Sequence, residues 1–265
     1  WLILPRRRSL PVAPSTLQTR ESCGLYMHLH SLLSPAMGED VSGTVGRIRF
    51  WAAVFATLFS VTYIVAQLGE WLGLLGSSGG PESSSTPFGL IVLLTPSLFL
   101  GTAFVVLMVS VHYYASEERK IWTHLGLVFA TIYAVLISIN YYVQLTFVVP
   151  HLLDGTTDSV RLQPFLFVPF DSFLYSVDLL GYSFLSLATL FAAFAFTGSG
   201  IERTVRWFLL ANGVLLPFLA LQIYYHPLIW VASAWAITFP GATIALAILF
   251  RRSAQSVSTP DPTVG

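Results

Sequence analysis

The stretch Thr131–Val149, centred on Ser138-Ile139-Asn140-Tyr141-Tyr142-Val143-Gln144, decides how this chain is read. It sets an amide pair and two adjacent tyrosines inside an apolar run of membrane-crossing length. A helix of about 20 residues covers the roughly 30 Å of bilayer hydrocarbon. Polar groups are costly at that depth and usually face a bundle interior or a water-filled cavity. The rest of the sequence is therefore read as the walls around this segment.

Composition agrees with a membrane setting. Of 265 residues 55% are hydrophobic and only 10% charged, where a soluble domain carries roughly a quarter charged, and the mean hydropathy is +0.72. Basic and acidic residues balance at 13 each. No basic footprint for nucleic acid is present, and no nucleic-acid partner is expected. Cys23 is the single cysteine, which excludes an intrachain disulfide and a multi-cysteine metal centre.

Moving outward, six apolar stretches are long enough to cross a bilayer: Phe50–Leu75, Phe88–Tyr114, Trp122–Val149, Ser172–Phe196, Trp207–Tyr225 and Pro227–Phe250. Each is expected to be a helix, which satisfies its backbone hydrogen bonds within the segment. The predicted fold class is an all-α, six-helix polytopic membrane bundle spanning residues 37–252. Residues 1–36, with Arg6-Arg7-Arg8 and three prolines before Glu21, read as a disordered or upstream-translated segment, and Met37 as a natural initiator. Residues 253–265 read as a disordered cytoplasmic tail.

The loops carry the orientation. Arg47, Arg49, Arg119, Lys120, Arg203, Arg206, Arg251 and Arg252 all fall at one end of the predicted spans, and the alternate loops hold only Arg161. The positive-inside rule then places both termini in the cytoplasm, in a cell membrane. Gly76–Pro87 reads as a flexible external turn. In the long external loop 150–171, Pro164-Phe165-Leu166-Phe167-Val168-Pro169-Phe170 is too apolar for a solvated linker. It lies at the membrane interface, folds over the external mouth of the bundle, or leads directly into span four.

Polar residues recur at helical spacing on three spans: Ser60, Tyr63, Gln67 and Glu70 on the first; Tyr133, Asn140 and Gln144 on the third; Asp171, Tyr175, Asp178, Tyr182, Ser186 and Thr189 on the fourth. At about 1.5 Å per residue these groups gather in the external half. The pattern predicts that spans 1, 3 and 4 face one another. They would enclose an external cavity lined by Gln67, Glu70, Asn140, Tyr141, Gln144, Asp178 and Tyr182. The competing reading is interhelical hydrogen bonding that serves packing alone, typically under about 1 kcal/mol for each bond. Asp178 stands apart because no Lys or Arg lies within a span to pair with it. It must be protonated or solvated in a cavity.

Other signals carry less. His112 and His124 flank a turn with Glu117 and Glu118, but their spacing matches no metal motif, and no cofactor or metal is expected. Pro96, Pro217 and Pro240 predict kinks within spans 2, 5 and 6. Zinc-protease, phosphate-loop and dinucleotide signatures are absent from the sequence.

The string Asn140-Tyr141-Tyr142-Val143-Gln144-Leu145-Thr146, followed by Pro150, resembles a set of uncharacterised prokaryotic multi-pass membrane proteins. Asp178-Leu179-Leu180-Gly181-Tyr182, Gly200-Ile201-Glu202-Arg203 and Arg206-Trp207 fit the same resemblance. It implies the architecture and no activity. Three functions compete: binding or transport of a small molecule or lipid, with Asp178 as a proton or cation site; a structural or sensory subunit acting through a partner; and an intramembrane enzyme using Asp178 and Glu70. The expected partners are the lipid bilayer and a small-molecule or lipid ligand.

Overall fold

The computed structural model describes residues 20–80, 83–155, 162–168 and 170–257, with side chains from 43 to 255. It divides into two units, Trp1–Val45 and Gly46–Gly265. The first is described only from Arg20, as the start of a helix. Of the predicted N-terminal segment 1–36, residues 1–19 lie outside the described residues, as do 258–265 of the predicted tail, Arg161 and Pro169.

The described residues are helical, with no strand among them. The helices are α1 (Arg20–Trp71), α2 (Pro87–Tyr114), α3 (Lys120–Val143), α4 (Val149–Leu153), α5 (Phe173–Ala193), α6 (Ile201–Gly213), α7 (Leu216–Leu221), α8 (Ile229–Ala232) and α9 (Trp235–Val257). Among the described residues, six helical stretches are long and apolar enough to cross a membrane: Gly43–Trp71, Pro87–Tyr114, Glu117–Leu153, Phe173–Ala193, Ile201–Leu221 and His226–Gln255. The chain is an integral, multi-pass membrane protein.

Local chemistry sets where the spans begin and bend. Thr86 caps α2, its hydroxyl accepting from Gly89 N at 3.0 Å, with Pro87 opening the helix. Ser172 caps α5 in the same way through Tyr175 N at 3.1 Å. Pro150 lacks an N–H and would crowd the carbonyl of Thr146 in a regular helix. The third span accommodates it by widening into a π-turn over Gln144–Val148 before α4. Pro217 acts more sharply. The fifth span breaks after Gly213 and restarts as α7, with Pro217 in its first turn, where a missing N–H costs least. Many hydroxyls within spans bond back to the carbonyl four residues earlier, as those of Thr62, Thr95, Ser110, Thr131 and Ser183 do. Those residues are thereby satisfied in an apolar setting.

Within Gly46–Gly265 the spans form a closed ring in chain order. α2 packs on α3, α3 on α5, α5 on α6 and α7, and α6 on α9. α1 closes the circle: Phe59 stacks on Phe99 of α2 with centroids 5.8 Å apart. On its other side Thr57 Oγ1 donates to Thr243 Oγ1 of α9 at 2.8 Å. Small residues permit the close crossings. A Cβ on Gly213 would lie 2.6 Å from Leu190 Cβ, and one on Gly241 2.4 Å from the Phe208 ring. Asn212 ties three spans together, donating to Thr189 Oγ1 of α5 and accepting from Thr238 Oγ1 of α9, each at 3.0 Å.

The basic loops share one end of this ring. There Arg49 donates to the Tyr113 carbonyl at 3.1 Å, Arg119 to the Phe194 carbonyl at 2.9 Å, and Tyr114 OH to Glu202 Oε1 at 2.6 Å. Glu202 Oε2 accepts from Gly198 N, locking the turn that enters α6. The opposite, distal end carries the loops after Trp71 and Leu153 and the turn at His226.

Candidate functional site

A cavity of about 240 Å³ opens at the distal end. Its walls come from α1 (Tyr63, Gln67, Trp71), α5 (Tyr175, Asp178, Tyr182), α7 with its exit (Leu219, Gln222) and α8–α9 (Ile229, Trp235). Phe167 and Phe170, from the loop before α5, stand at its rim. The apolar loop folds over the mouth of the cavity and does not run straight into α5. Gln144 Nε2 donates to the Phe165 carbonyl and fastens the loop to the third span. Phe170 stacks on His226 with centroids 4.2 Å apart, joining the loop to the turn between the fifth and sixth spans. Phe170 reaches that position with φ +71°, a left-handed conformation costly for an aromatic residue.

The floor is aromatic. Phe104 of α2, Tyr133 of α3, Tyr182 of α5, and Trp235 and Phe239 of α9 form a closed circuit of ring contacts. The centroids lie 5.8 Å (Phe104–Tyr133), 5.8 Å (Tyr133–Tyr182), 5.6 Å (Tyr182–Trp235), 5.7 Å (Trp235–Phe239) and 5.4 Å (Phe239–Phe104) apart. Such edge-to-face and offset pairs each add about 0.5–1.5 kcal/mol beyond burial. Beneath the circuit Leu107, Met108, Leu185 and Ala188 are fully buried. The cavity is a pocket with a packed base.

The residues predicted from sequence divide into two groups. Gln67, Asp178 and Tyr182 line the cavity together. Asn140, Tyr141 and Gln144 do not reach it. They are buried in the interface between the third span, α5 and the loop. From there Asn140 Nδ2 donates to Asp178 Oδ1 and to the Leu174 carbonyl, both at 3.2 Å. The Tyr141 hydroxyl pairs with that of Tyr182 at 3.2 Å. These residues hold Asp178 and Tyr182 from behind while those two face the open space. The wall expected from span 3 comes instead from the sixth, because α3 lies against the far side of α5.

Glu70 lies elsewhere again. It is 3% exposed and turns toward α2, and a Cβ on Gly89 would sit 2.6 Å from its Oε2. Gly89 is in the first turn of α2, where the N-terminal dipole favours a carboxylate. Glu70 therefore lies against the first turn of α2, outside the cavity, with neither carboxyl oxygen hydrogen-bonded among the described residues.

Sequence reasoning passed over Trp71 and Trp235 altogether and gave Gln222 no role. Gln222 Nε2 donates to the Tyr175 hydroxyl at 2.5 Å inside the cavity wall. The spacing of Tyr175 with Asp178 and Tyr182 was the available signal; nothing in sequence ties the sixth span's tryptophan to it. At the basic end, His112 Nδ1 is 2.9 Å from Thr123 Oγ1 and its ring meets His124 at 5.8 Å. Among the described residues no three His, Cys, Asp or Glu side chains gather as a metal set. Compared with known proteins, the chain matches no protein family, no curated protein and no solved structure.

Proposed function

We propose that this membrane protein binds a small molecule in the distal cavity, with the cavity facing the outside of the cell and both termini in the cytoplasm. One observation carries the reading: Asp178, fixed from behind by Asn140, faces a cavity of about 240 Å³ whose base is packed shut. That volume corresponds to roughly eight water molecules at about 30 Å³ each. It lies below the usual range for drug-sized ligands, which favours a small one. The concentration of Lys and Arg at the opposite end supports the orientation. The closed aromatic floor favours binding over passage, since transport would require the Phe104–Tyr133–Tyr182–Trp235–Phe239 circuit to open.

The test uses the single cysteine. In a Cys23→Ser background, Gln67→Cys is treated with a membrane-impermeant maleimide on intact cells. Labelling from outside, slowed by bulk at Ala232→Trp on the facing wall, is the expected result. Unlabelled Gln67→Cys in folded protein would refute the cavity reading and leave the polar residues a packing role.

A further inference from the structure

Resting on that reading, we infer that the cavity selects a small organic ammonium ion, with Asp178 as its counter-charge and the aromatic wall as its solvent. Charge gives the first reason. Among the described residues Asp178 is the only ionisable acid or base on the cavity wall other than tyrosines, and no Lys, Arg or His lines the space. The one ion pair among the described side chains, Lys120–Glu117, lies at the basic end. An anionic ligand would meet a carboxylate with no cation to offset it. A cationic ligand supplies the missing partner, and a buried charge is stable only when paired.

The geometry of Asp178 suits that role. Asn140 is itself fully buried and donates to one carboxylate oxygen and to the Leu174 carbonyl. The side chain is thus held in register while its cavity side stays open. Asn140 is neutral, so it orients the carboxylate without cancelling its charge.

The remaining wall distinguishes among cations. Trp71, Tyr63, Tyr175, Tyr182, Trp235 and Phe167 contribute aromatic surface. Tyr63 and Tyr182 each stand at 89° to the Trp235 ring, with centroids 5.6 Å away. Aromatic faces attract ammonium groups by about 0.5–2 kcal/mol each, most strongly when water is excluded. A hard divalent ion favours several carboxylate and carbonyl oxygens instead, whereas this wall offers one carboxylate among phenols, two amides and aromatic faces. Gln67 Oε1 accepts from Tyr63 and Gln222 Nε2 donates to Tyr175, which leaves Gln67 Nε2 and Gln222 Oε1 to meet a hydroxyl or amine elsewhere on the ligand.

The experiment protects the cavity cysteine. Gln67→Cys in the Cys23→Ser chain is labelled with and without choline or phenylethylamine. Each is compared with a neutral counterpart, choline's uncharged carbon isostere and phenylethanol. We expect at least one amine to slow labelling at concentrations tenfold or more below its neutral counterpart. Asp178→Asn, which keeps the bond from Asn140, should abolish that difference. Equal protection by charged and neutral partners, or protection by sodium or potassium alone, overturns the inference. So does efficient labelling that neither amine slows, and that outcome leaves the cavity itself standing. No labelling at all refutes both readings. The charged–neutral comparison needs no variant at Asp178, so it holds even if Asp178→Asn fails to fold.

Discussion

Asn140 of α3 and Asp178 of α5 meet through a 3.2 Å hydrogen bond across the interface of two neighbouring spans. The amide is buried on the far side of α5, and the carboxylate it holds faces the cavity. Replacing Asn140 with Leu removes donors from both Asp178 and the Leu174 carbonyl. Losing one partner of a buried polar pair costs about 1–3 kcal/mol. Thermal unfolding in detergent should register that loss, while Asn140→Gln should recover part of it.

The aromatic floor makes a separate prediction. In the Cys23→Ser background, Met108→Cys should resist thiol reagents, because Met108 lies beneath the circuit and is 1% exposed. Adding Phe239→Ala opens that circuit at a cost of about 3–5 kcal/mol. The thiol introduced at position 108 should then react. If it stays unreactive in the folded double variant, the floor does not depend on Phe239.

The loop over the mouth is tied down by Gln144. Gln144→Leu deletes its bond to the Phe165 carbonyl and leaves the stacking of Phe170 on His226. Labelling of Gln67→Cys should speed up several-fold, with stability changed by about 1 kcal/mol. An unchanged rate would show that the loop does not limit entry.

Two glycines should respond in opposite directions. Gly213→Ala brings a Cβ to within 2.9 Å of the Leu190 backbone, which cannot swing aside. Overpacking of this kind costs about 1–3 kcal/mol. Gly43→Ala meets nothing within 4 Å on an exposed helical position, and the better helix former should gain roughly 0.5–1 kcal/mol. Paired melting curves check both signs.

Asn212 links α5, α6 and α9, and a double-mutant cycle of Asn212→Leu with Thr238→Val measures the link. Interhelical bonds in membranes average about 0.6 kcal/mol, and a coupling near that size is expected. Zero coupling would remove Asn212 from the account of how the ring closes.

The six spans were legible in the sequence because length and apolarity suffice for a helix in hydrocarbon. Pro217 was legible as a kink, though not as a full break into α6 and α7, since that depends on how Gly213 seats against Leu190. Within the site, the stripes carrying Gln67, Asp178 and Tyr182 were readable from helical spacing. A stripe does not say which neighbour it faces. Asn140 and Gln144 share a stripe as clear as that of Asp178, yet they point into the α3–α5 interface and the loop. Glu70 turned to α2 for a reason outside its own helix, the start of another. Trp235 gave no signal, because a tryptophan in an apolar span looks the same whether it meets lipid or a cavity.

The closed ring of spans in chain order bears on biosynthesis. Each span as it enters the bilayer finds the preceding one already there to pack against, so most of the bundle can assemble while the chain is still being made. The cavity cannot. Its walls join Tyr63 and Gln67 from the first span to Trp235 from the sixth. A nascent chain halted before residue 235 would hold Asp178 already backed by Asn140 but would lack both the floor and the closing wall. The sixth span is the one that completes the site.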